Sequence, residues 1–229
     1  MKKAIVVLSG GLDSTVCMSV AEKEGYEIFP LTFAYGQRHS KEVEQAKKVA
    51  EFYGCSNKHL IVDTDFFRDI GHSALTANEI DVPTDRELDQ MEKDVPVTYV
   101  PFRNAVFLSM ATGYAEAICA EKIYIGVNAL DYSGYPDCRP QFINAFQETI
   151  NKGTAAADRG LPIKIETPLL NLTKAGIVNL GLKNKAPLHL TTSCYQGGEE
   201  ACGKCDSCQL RLKGFSEAGA KDPIEYEIT

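Results

Sequence analysis

Two glycines near the amino terminus stand among hydroxyl side chains and an acid, a combination suited to holding phosphate. The stretch reads Leu8-Ser9-Gly10-Gly11-Leu12-Asp13-Ser14-Thr15. Glycines accept positive φ and add no Cβ, so backbone N–H groups beside them can converge on an anion. The nearby hydroxyls add donors at a helix start, where the helix dipole favours negative charge. The sequence therefore predicts a phosphate-binding loop; the alternative is a turn that uses glycine for its geometry alone.

The loop differs from two widespread phosphate-binding patterns. It lacks the lysine of the sequence G-x-x-x-x-G-K-[ST], and it does not match G-x-G-x-x-G. The sequence therefore indicates neither a nucleoside triphosphatase of the first type nor a nicotinamide enzyme of the second type.

Strand-like and helical segments alternate behind this loop. Apolar β-type runs recur at 4–8, 27–33, 59–62, 122–127 and 163–166, and helical patterns at about 14–24, 40–54, 103–120, 138–152 and 173–182. This alternation predicts an α/β fold, a doubly wound parallel sheet with helices on both faces. Ligands bind at the carboxyl ends of such strands. The loop at 9–14 and the segments 34–39 and 126–137 are therefore expected to open toward one edge.

Four of the eight cysteines lie close together near the carboxyl end. Cys194, Cys202, Cys205 and Cys208 have the spacing C-x7-C-x2-C-x2-C, with glycines among them that let the backbone fold around an ion. Four thiolates suit tetrahedral Zn²⁺ in a structural site. An iron–sulfur cluster uses the same ligands. We predict zinc, with the cluster as the alternative.

The scattered cysteines have simpler expected roles. Cys17 and Cys119 fall within helical patterns and are expected to be core thiols. Cys138 follows Tyr135-Pro136-Asp137 at a strand-end loop, so it either lines the substrate pocket or is a further core thiol.

Length and charge limit the class of protein. With 229 residues, the chain has room for one main domain and a small appendage, here divided as 1–185 for the α/β domain and 186–229 for a helical region with the four cysteines. The formal net charge of −7 disfavours a nonspecific nucleic-acid binder. Apolar runs are too short for a membrane span or a signal peptide, so a cytoplasmic location is expected.

Between Gly71 and Pro101 the periodicity fades into a polar stretch. This stretch is too long for an ordinary connection, which suggests a lid or a mobile insertion.

Several stretches together resemble the 7-cyano-7-deazaguanine synthases of queuosine biosynthesis. These enzymes are a branch of the ATP-pyrophosphatase superfamily, whose members cleave ATP between the α- and β-phosphates and adenylate an oxygen of their substrate. The loop at 9–15 is shared across the superfamily. The other matching stretches are 32–39, 100–104, 126–128, 131–139 and 166–169, together with the four cysteines, and the segment 132–139 is much more particular than the loop. Two positions depart from the family: Phe102 stands where glycine is usual, and Gly176 where an acidic residue is usual.

The resemblance implies an adenine nucleotide alpha hydrolase-like (PP-loop) fold with a small zinc-binding C-terminal region. It implies an ATP-dependent carbon–nitrogen ligase that converts 7-carboxy-7-deazaguanine and ammonia to the nitrile. ATP with Mg²⁺ would be a substrate and one Zn²⁺ per chain a structural cofactor. The implied partners are small molecules and a second copy of the chain in a homodimer, with neither nucleic acid nor membrane.

The chemistry and positions of the residues, together with the resemblance, predict the site residues. The ATP-binding residues are expected to be Leu8, Ser9, Gly10, Gly11, Leu12, Asp13, Ser14, Thr15, Val16, Cys17, Met18 and His39. The predicted catalytic residues are Asp13, Ser14, Arg103, Lys174 and Asp131, and the predicted substrate-binding residues are Tyr132, Ser133, Tyr135 and Asp137.

Four of these residues carry specific alternatives. Asp13 would hold Mg²⁺ or orient the loop. Arg103 and Lys174 each begin a predicted helix near the ligand edge, so they are candidate cations for the phosphates; the alternative is an ordinary solvated charge. His39 would contact the nucleotide or move protons, or would be an ordinary loop residue.

The turn at 131–137 combines aromatic faces with acids, which suits stacking of a flat purine-like base and hydrogen bonds from its N–H groups. A purely structural turn is the alternative. Asp131 or Asp137 could also draw in ammonium and accept its proton.

Two other functions compete with the ligase. A tRNA-thiolating PP-loop enzyme would adenylate a base and deliver sulfur, and it predicts a basic surface or an RNA-binding extension. A nucleotide-binding sensor would keep the fold and the metal site without turnover. Such a sensor would leave the aromatic and acidic turn without a purpose.

Overall fold

The computed structural model describes residues 1–36, 41–77, 79–86, 95–128 and 134–227. Within these residues the centre is a parallel sheet of five strands: β1 (Lys3–Val7), β2 (Glu27–Ala34), β3 (Leu60–Asp63), β4 (Lys122–Tyr124) and β5 (Lys164–Glu166). The strands lie in the order β3-β2-β1-β4-β5, and every neighbouring pair is parallel. Because the order reverses direction at β1, a crevice opens at the carboxyl ends of β1 and β4, where ligands bind in such sheets.

Helices cover both faces of the sheet. In the described ranges they are α1 (Leu12–Lys23), α2 (Lys41–Phe52), α3 (Phe66–Ile70), α4 (Arg103–Ile118), α5 (Pro140–Gly153), α6 (Ala155–Asp158), α7 (Lys174–Asn184) and α8 (Asp206–Glu217). Val16, Ile177 and Phe215 belong to the core on one face, formed with α1, α2, α7 and α8. Leu108 and Ile150 belong to the core on the other face, formed with α3, α4 and α5. The doubly wound α/β fold is confirmed.

Every predicted strand and helix is present, with ends shifted by no more than three residues. Two helices, α3 and α6, were not predicted, because they have only five and four residues and are too short to show a helical period. One cysteine was placed wrongly. Cys119 is exposed, because α4 ends before it and its backbone is left-handed with φ +56°, whereas Cys17 is buried as expected.

The C-terminal region shares the core of the sheet domain. Leu188 and Phe215 are buried in the same apolar cluster as Val16 and Ile177. The predicted division into 1–185 and 186–229 stays a prediction, and its two parts are joined by this shared core.

The polar stretch between Gly71 and Pro101 is packed where the structure describes it. Ala74 is fully buried and its N–H donates to the Val97 carbonyl at 2.8 Å. Further along, the guanidinium of Arg86 is bound to the buried carboxylate of Asp206 at the start of α8. The described part of this stretch is therefore packed, and it is bound to the C-terminal region through Arg86 and Asp206.

Among the helices in the described ranges, none is both long enough and apolar enough to cross a bilayer.

Candidate active site

The predicted phosphate loop lies between the end of β1 and the start of α1. The Ser14 hydroxyl donates to the Gly11 carbonyl at 3.1 Å and accepts from the Ser9 N–H at 3.2 Å. The Gly11 N–H donates to the Ser9 Oγ at 3.2 Å. These short-range bonds fix a compact turn at the N-terminus of α1, where the helix dipole and backbone N–H groups favour an anion.

Two glycines let other elements approach this loop closely. Gly10 has φ +83°, and a Cβ at this position would collide with the Glu42 carbonyl oxygen of α2. Gly126 follows β4, and a Cβ there would lie 3.0 Å from both the carbonyl carbon of Asp13 and the nitrogen of Ser14. The loop is therefore held between α2 and the end of β4 at distances that larger residues would not permit.

Lys174 reaches into the loop from the start of α7. Thr173 is the N-cap of α7, and its hydroxyl accepts from the Gly176 N–H at 3.1 Å, which fixes where the helix begins. The Lys174 Nζ lies 3.0 and 2.9 Å from the two carboxylate oxygens of Asp13. The side chains of Lys174 and Asp13 are only 17% and 26% exposed. The structure thus brings two predicted catalytic residues together and places Lys174 in the site, not in bulk solvent.

Arg103, the first residue of α4, is held on aromatic rings. Its guanidinium donates to the Tyr35 hydroxyl at 2.8 Å, and its Cζ lies 5.4 Å from the Tyr35 ring centre and 5.9 Å from that of Phe107. Burial raises the pKa of Tyr35 to about 12, so this phenol stays protonated near neutral pH. Stacking and a directed hydrogen bond together orient the cation in a way that the flexible chain of a lysine would not reproduce.

These groups face one cavity of about 280 Å³. It is lined from the carboxyl ends of β1, β2 and β4 and from the first turns of α1, α2, α4 and α7, and it is closed by the segment 192–195 and by α8. Lining residues outside our predicted set include Tyr35, Glu42, Asn104, Phe107, Asn128, Ser193, Tyr195, Ser207 and Arg211.

The sequence held a signal for some of these residues. Asn128 directly follows the predicted fourth strand, in a position where ligand-binding residues collect. Its side-chain amide donates to the Leu172 carbonyl at 2.5 Å and so ties this loop to the chain just before α7. Ser207 and Arg211 carried no such signal, because their position depends on how α8 docks.

The predicted ATP-binding residues divide into two groups. Ser9, Gly11, Leu12, Asp13 and Ser14 line the cavity. The side chains of Leu8, Val16, Cys17 and Met18 are in the apolar core, each at most 1% exposed, so those positions offer a nucleotide only their backbone. Gly10, within the loop, and Thr15, in the first turn of α1, are buried. His39 lies outside the described residues. All of these roles stay predictions.

The described part of the substrate turn contributes to the cavity through Tyr135 and Cys138. The Tyr135 hydroxyl is 2.9 Å from the Thr98 Oγ1, which ties the turn to the segment before α4. Burial raises the pKa of the Cys138 thiol to about 12, so it is a neutral group in the wall. Asp131, Tyr132 and Ser133 lie outside the described residues.

Asp137, the residue before Cys138, is buried. It is 4% exposed, and its Oδ2 accepts from the backbone N–H of Asn104 in the first turn of α4 at 3.0 Å. The Asn104 amide in turn donates to the Asp137 carbonyl at 3.2 Å and to the Cys138 Sγ at 3.3 Å. Asp137 therefore serves as a buried cap for the helix that begins with Arg103, and its predicted contact with substrate stays a prediction.

Replacing Asp137 with alanine is expected to lower the free energy of unfolding by about 1–2 kcal/mol, because α4 loses a buried acceptor at its first turn. Asp137→Asn keeps a side-chain oxygen and should lose about 0.5 kcal/mol or less. Urea denaturation at pH 7 measures both. Equal stability of the alanine variant and the parent would contradict the capping role.

The same carboxyl gives stability a pH dependence. Burial raises the pKa of Asp137 above its value in the unfolded chain. The part of its contribution that is linked to proton binding is therefore complete below the unfolded-state pKa and is lost as pH rises through the folded-state pKa. The hydrogen bond from the Asn104 N–H remains in the ionised form, because a carboxylate oxygen also accepts it. Asp137→Asn should lack this decline.

The four clustered cysteines converge as predicted. Their Sγ atoms all lie within 4.8 Å of one another and all four residues are buried. Hydrogen bonds from the thiols of Cys205 and Cys208 lower the pKa of Cys194. The backbone N–H groups of Cys202 and Cys205 each donate to a sulfur of the cluster at 3.4 Å. Four buried sulfurs that converge on one point fit a tetrahedral metal ion.

A family model described as queuosine biosynthesis protein QueC matches residues 3–219 of this chain. The chain belongs to this family.

Curated relatives agree with that assignment. The chain is 59% identical to the 7-cyano-7-deazaguanine synthase of Acetivibrio thermocellus over 226 residues, which cover 99% of this chain and 98% of the relative. It is 56% identical to the 7-cyano-7-deazaguanine synthase of Oceanobacillus iheyensis over 225 residues, with 98% of each chain covered. The predicted family is confirmed.

Among solved structures, NMN synthetase from Francisella tularensis is similar at 15% sequence identity with a TM-score of 0.49. The likeness covers 96% of this chain and 78% of that one.

The residue immediately before Arg103 has a left-handed backbone. Phe102 has φ +57° and ψ +24°, a left-handed conformation that costs a residue with a side chain about 1–2 kcal/mol. A glycine, which the resemblance leads us to expect at this position, would adopt it freely. The Phe102 ring lies against Phe142, with the ring centres 6.1 Å apart.

Proposed function

We propose that this protein is an ATP-dependent ligase that converts 7-carboxy-7-deazaguanine and ammonia to 7-cyano-7-deazaguanine through an adenylated intermediate. The observation that carries the proposal is that the phosphate loop, the Asp13–Lys174 pair and Arg103 face the same cavity as Tyr135. One cavity would thus supply both the groups for ATP and an aromatic face for a flat base. The names of the relatives support the same reaction.

The chemistry explains why ATP is needed. A carboxylate is a poor electrophile because its oxygen is a poor leaving group. Attack of that oxygen on the α-phosphorus of ATP forms the acyl adenylate and releases pyrophosphate. Ammonia then adds to the acyl carbon, loses a proton and expels AMP, which leaves a primary amide. A second adenylation, on the amide oxygen, followed by loss of AMP and two protons, gives the nitrile.

The loop residues would act where charge accumulates. As pyrophosphate leaves, negative charge builds on its oxygens and on the α-phosphate, and preorganised donors there lower the barrier most. Ser9, Gly11 and Ser14 lie at the N-terminus of α1, which suits the phosphates. Lys174 would share its charge between Asp13 and a phosphate oxygen. Asp13 is also the loop carboxylate that would meet the Mg²⁺ bound to ATP.

The other side of the cavity would hold the base. Arg103 is fixed by Tyr35 and by ring contacts, so it presents a cation of defined orientation to the substrate carboxylate or to the α-phosphate. Tyr135 lines the same cavity and provides an aromatic face. The neighbouring residues of the turn, including Asp131, Tyr132 and Ser133, complete the predicted base site, and His39 remains a predicted nucleotide contact.

The metal in this proposal is one structural Zn²⁺ held by Cys194, Cys202, Cys205 and Cys208. Four buried sulfurs leave no open coordination position, as in closed zinc sites. The ion would cross-link the segment 194–208 and so hold α8 in place. Metal analysis of the purified protein should return zinc; iron with acid-labile sulfide would favour a cluster and the thiolating alternative.

The proposal also includes a homodimer in the cytoplasm that acts on small molecules and not on nucleic acid. It is supported by family membership and by the acidic net charge of −7. Light scattering of the purified protein tests the oligomeric state.

The direct test is to incubate the purified protein with ATP, Mg²⁺, ammonium and 7-carboxy-7-deazaguanine. Mass spectrometry should find the nitrile together with AMP and pyrophosphate. Cleavage of ATP to AMP and pyrophosphate with neither amide nor nitrile would contradict the proposed substrate. A reaction lacking ammonium serves as the control, since it should yield no nitrile.

A further inference from the structure

A glycine in the middle of α8 lies directly against Lys174. Gly214 is buried, and a Cβ at this position would lie 2.9 Å from the Cβ of Lys174, 3.1 Å from its carbonyl carbon, and closer still to its Cγ. Two of these three atoms belong to the side chain that reaches Asp13. α8 therefore packs on the part of Lys174 that directs its ammonium group.

Helix propensity alone does not favour glycine here. In the interior of a helix, glycine is about 1 kcal/mol less favourable than alanine. Gly113, in the middle of α4, gives a useful comparison, because a Cβ there would meet no atom within 4 Å. At Gly214 a Cβ is excluded by Lys174, whereas at Gly113 there is space for one.

We propose that Gly214 is a positioning residue for catalysis: by admitting the stem of Lys174 against α8, it sets the ammonium group of Lys174 on Asp13 in the phosphate loop. The inference rests on the proposed function, in which Lys174 acts on the phosphates of ATP.

The proposal connects the cysteine cluster to the phosphate loop by a short path. Cys205 is the N-cap of α8 and Cys208 lies in its first turn. Two turns further along, Gly214 contacts Lys174, whose Nζ binds both oxygens of Asp13 at 3.0 and 2.9 Å. In this proposal, the cysteine cluster holds the start of α8, and α8 in turn holds the side chain of Lys174 in position.

The test compares Gly214→Ala with Gly113→Ala and Lys174→Ala. The added methyl at position 214 must push the start of α7 or the Lys174 stem away, and a misplacement near 1 Å lowers turnover by about a hundredfold. We expect kcat for ATP-dependent turnover to fall by about that factor in Gly214→Ala, with zinc content and far-ultraviolet circular dichroism unchanged. Gly113→Ala should retain full activity.

The double variant Lys174→Ala/Gly214→Ala shows whether the effect passes through Lys174. If it does, the double variant should be within about threefold of Lys174→Ala, because coupled residues are not additive. A further hundredfold loss in the double variant would overturn the inference, as would full activity of Gly214→Ala beside an inactive Lys174→Ala. Full activity of Lys174→Ala would overturn both this inference and the proposed role of the lysine.

Folding gives the same comparison a second readout. If Gly214→Ala is insoluble, the double variant Lys174→Gly/Gly214→Ala should restore soluble protein, because both side-chain atoms nearest to the new methyl, the Cγ and Cβ of Lys174, are then gone. A double variant that stays insoluble would place the conflict elsewhere and overturn the inference.

Discussion

Replacing Asp13 with asparagine is expected to slow the cleavage of ATP by about a thousandfold or more while the protein stays folded. The two side chains have nearly the same shape, so packing against the loop is preserved. The carboxylate charge that binds Lys174 at 2.9 and 3.0 Å is lost, together with the group that would meet Mg²⁺. Removing one preorganised charge or donor from an active site costs about a hundredfold to a thousandfold, and here two interactions are lost together.

Pyrophosphate release in the presence of the substrate acid measures this effect. Asp65→Asn provides the matched control, because Asp65 is an exposed acid that pairs with Arg68 on the surface, and such pairs contribute little. The control should retain the parental rate. An Asp13→Asn variant with normal turnover would remove Asp13 from the site.

Replacing Cys205 with alanine is expected to abolish stoichiometric metal binding and to destabilise the protein by about 4 kcal/mol or more. Cys205 is fully buried and is the N-cap of α8. Loss of the ion would release the segment 194–208, and with it the apolar contacts that Val82 and Tyr226 make with the cluster. For a chain of this size, 4 kcal/mol corresponds to a fall in melting temperature of about 8–16 °C.

Thermal denaturation and elemental analysis of the same preparations test this expectation. Cys119→Ala is the appropriate control, because Cys119 is exposed and outside the cluster, and its metal content should equal that of the parent. A Cys205→Ala variant that is free of metal, equally stable and fully active would contradict a structural metal.

The parts of the molecule that could be predicted from sequence are those governed by local patterns. The run at 4–8 and the helical period that follows it predicted β1, α1 and the loop between them, because strand burial and helix amphipathicity are properties of neighbouring residues. The cysteine spacing predicted a cluster for the same reason. Lys174 and Arg103 were predicted from their positions at helix starts near the ligand edge, and both line the cavity.

What could not be predicted depends on docking between distant segments. The pairing of Lys174 with Asp13 needs α7 to lie beside the loop, and the position of Arg211 in the cavity wall needs α8 to pack across α7. Arg211 is 1% exposed and is held by Asp222 at 2.7 and 2.9 Å, which no periodicity reveals. The cap that Asp137 provides for α4 likewise spans 33 positions of sequence.

In the proposed reaction, the loop at 9–14 presents the α-phosphorus of ATP to a carboxyl oxygen of the substrate. The most direct measurement uses 7-carboxy-7-deazaguanine labelled with ¹⁸O in its carboxyl group and follows the label by mass spectrometry. We predict that the AMP released carries one ¹⁸O atom and that the pyrophosphate carries none. AMP without label, or release of ADP and phosphate in its place, would contradict the account.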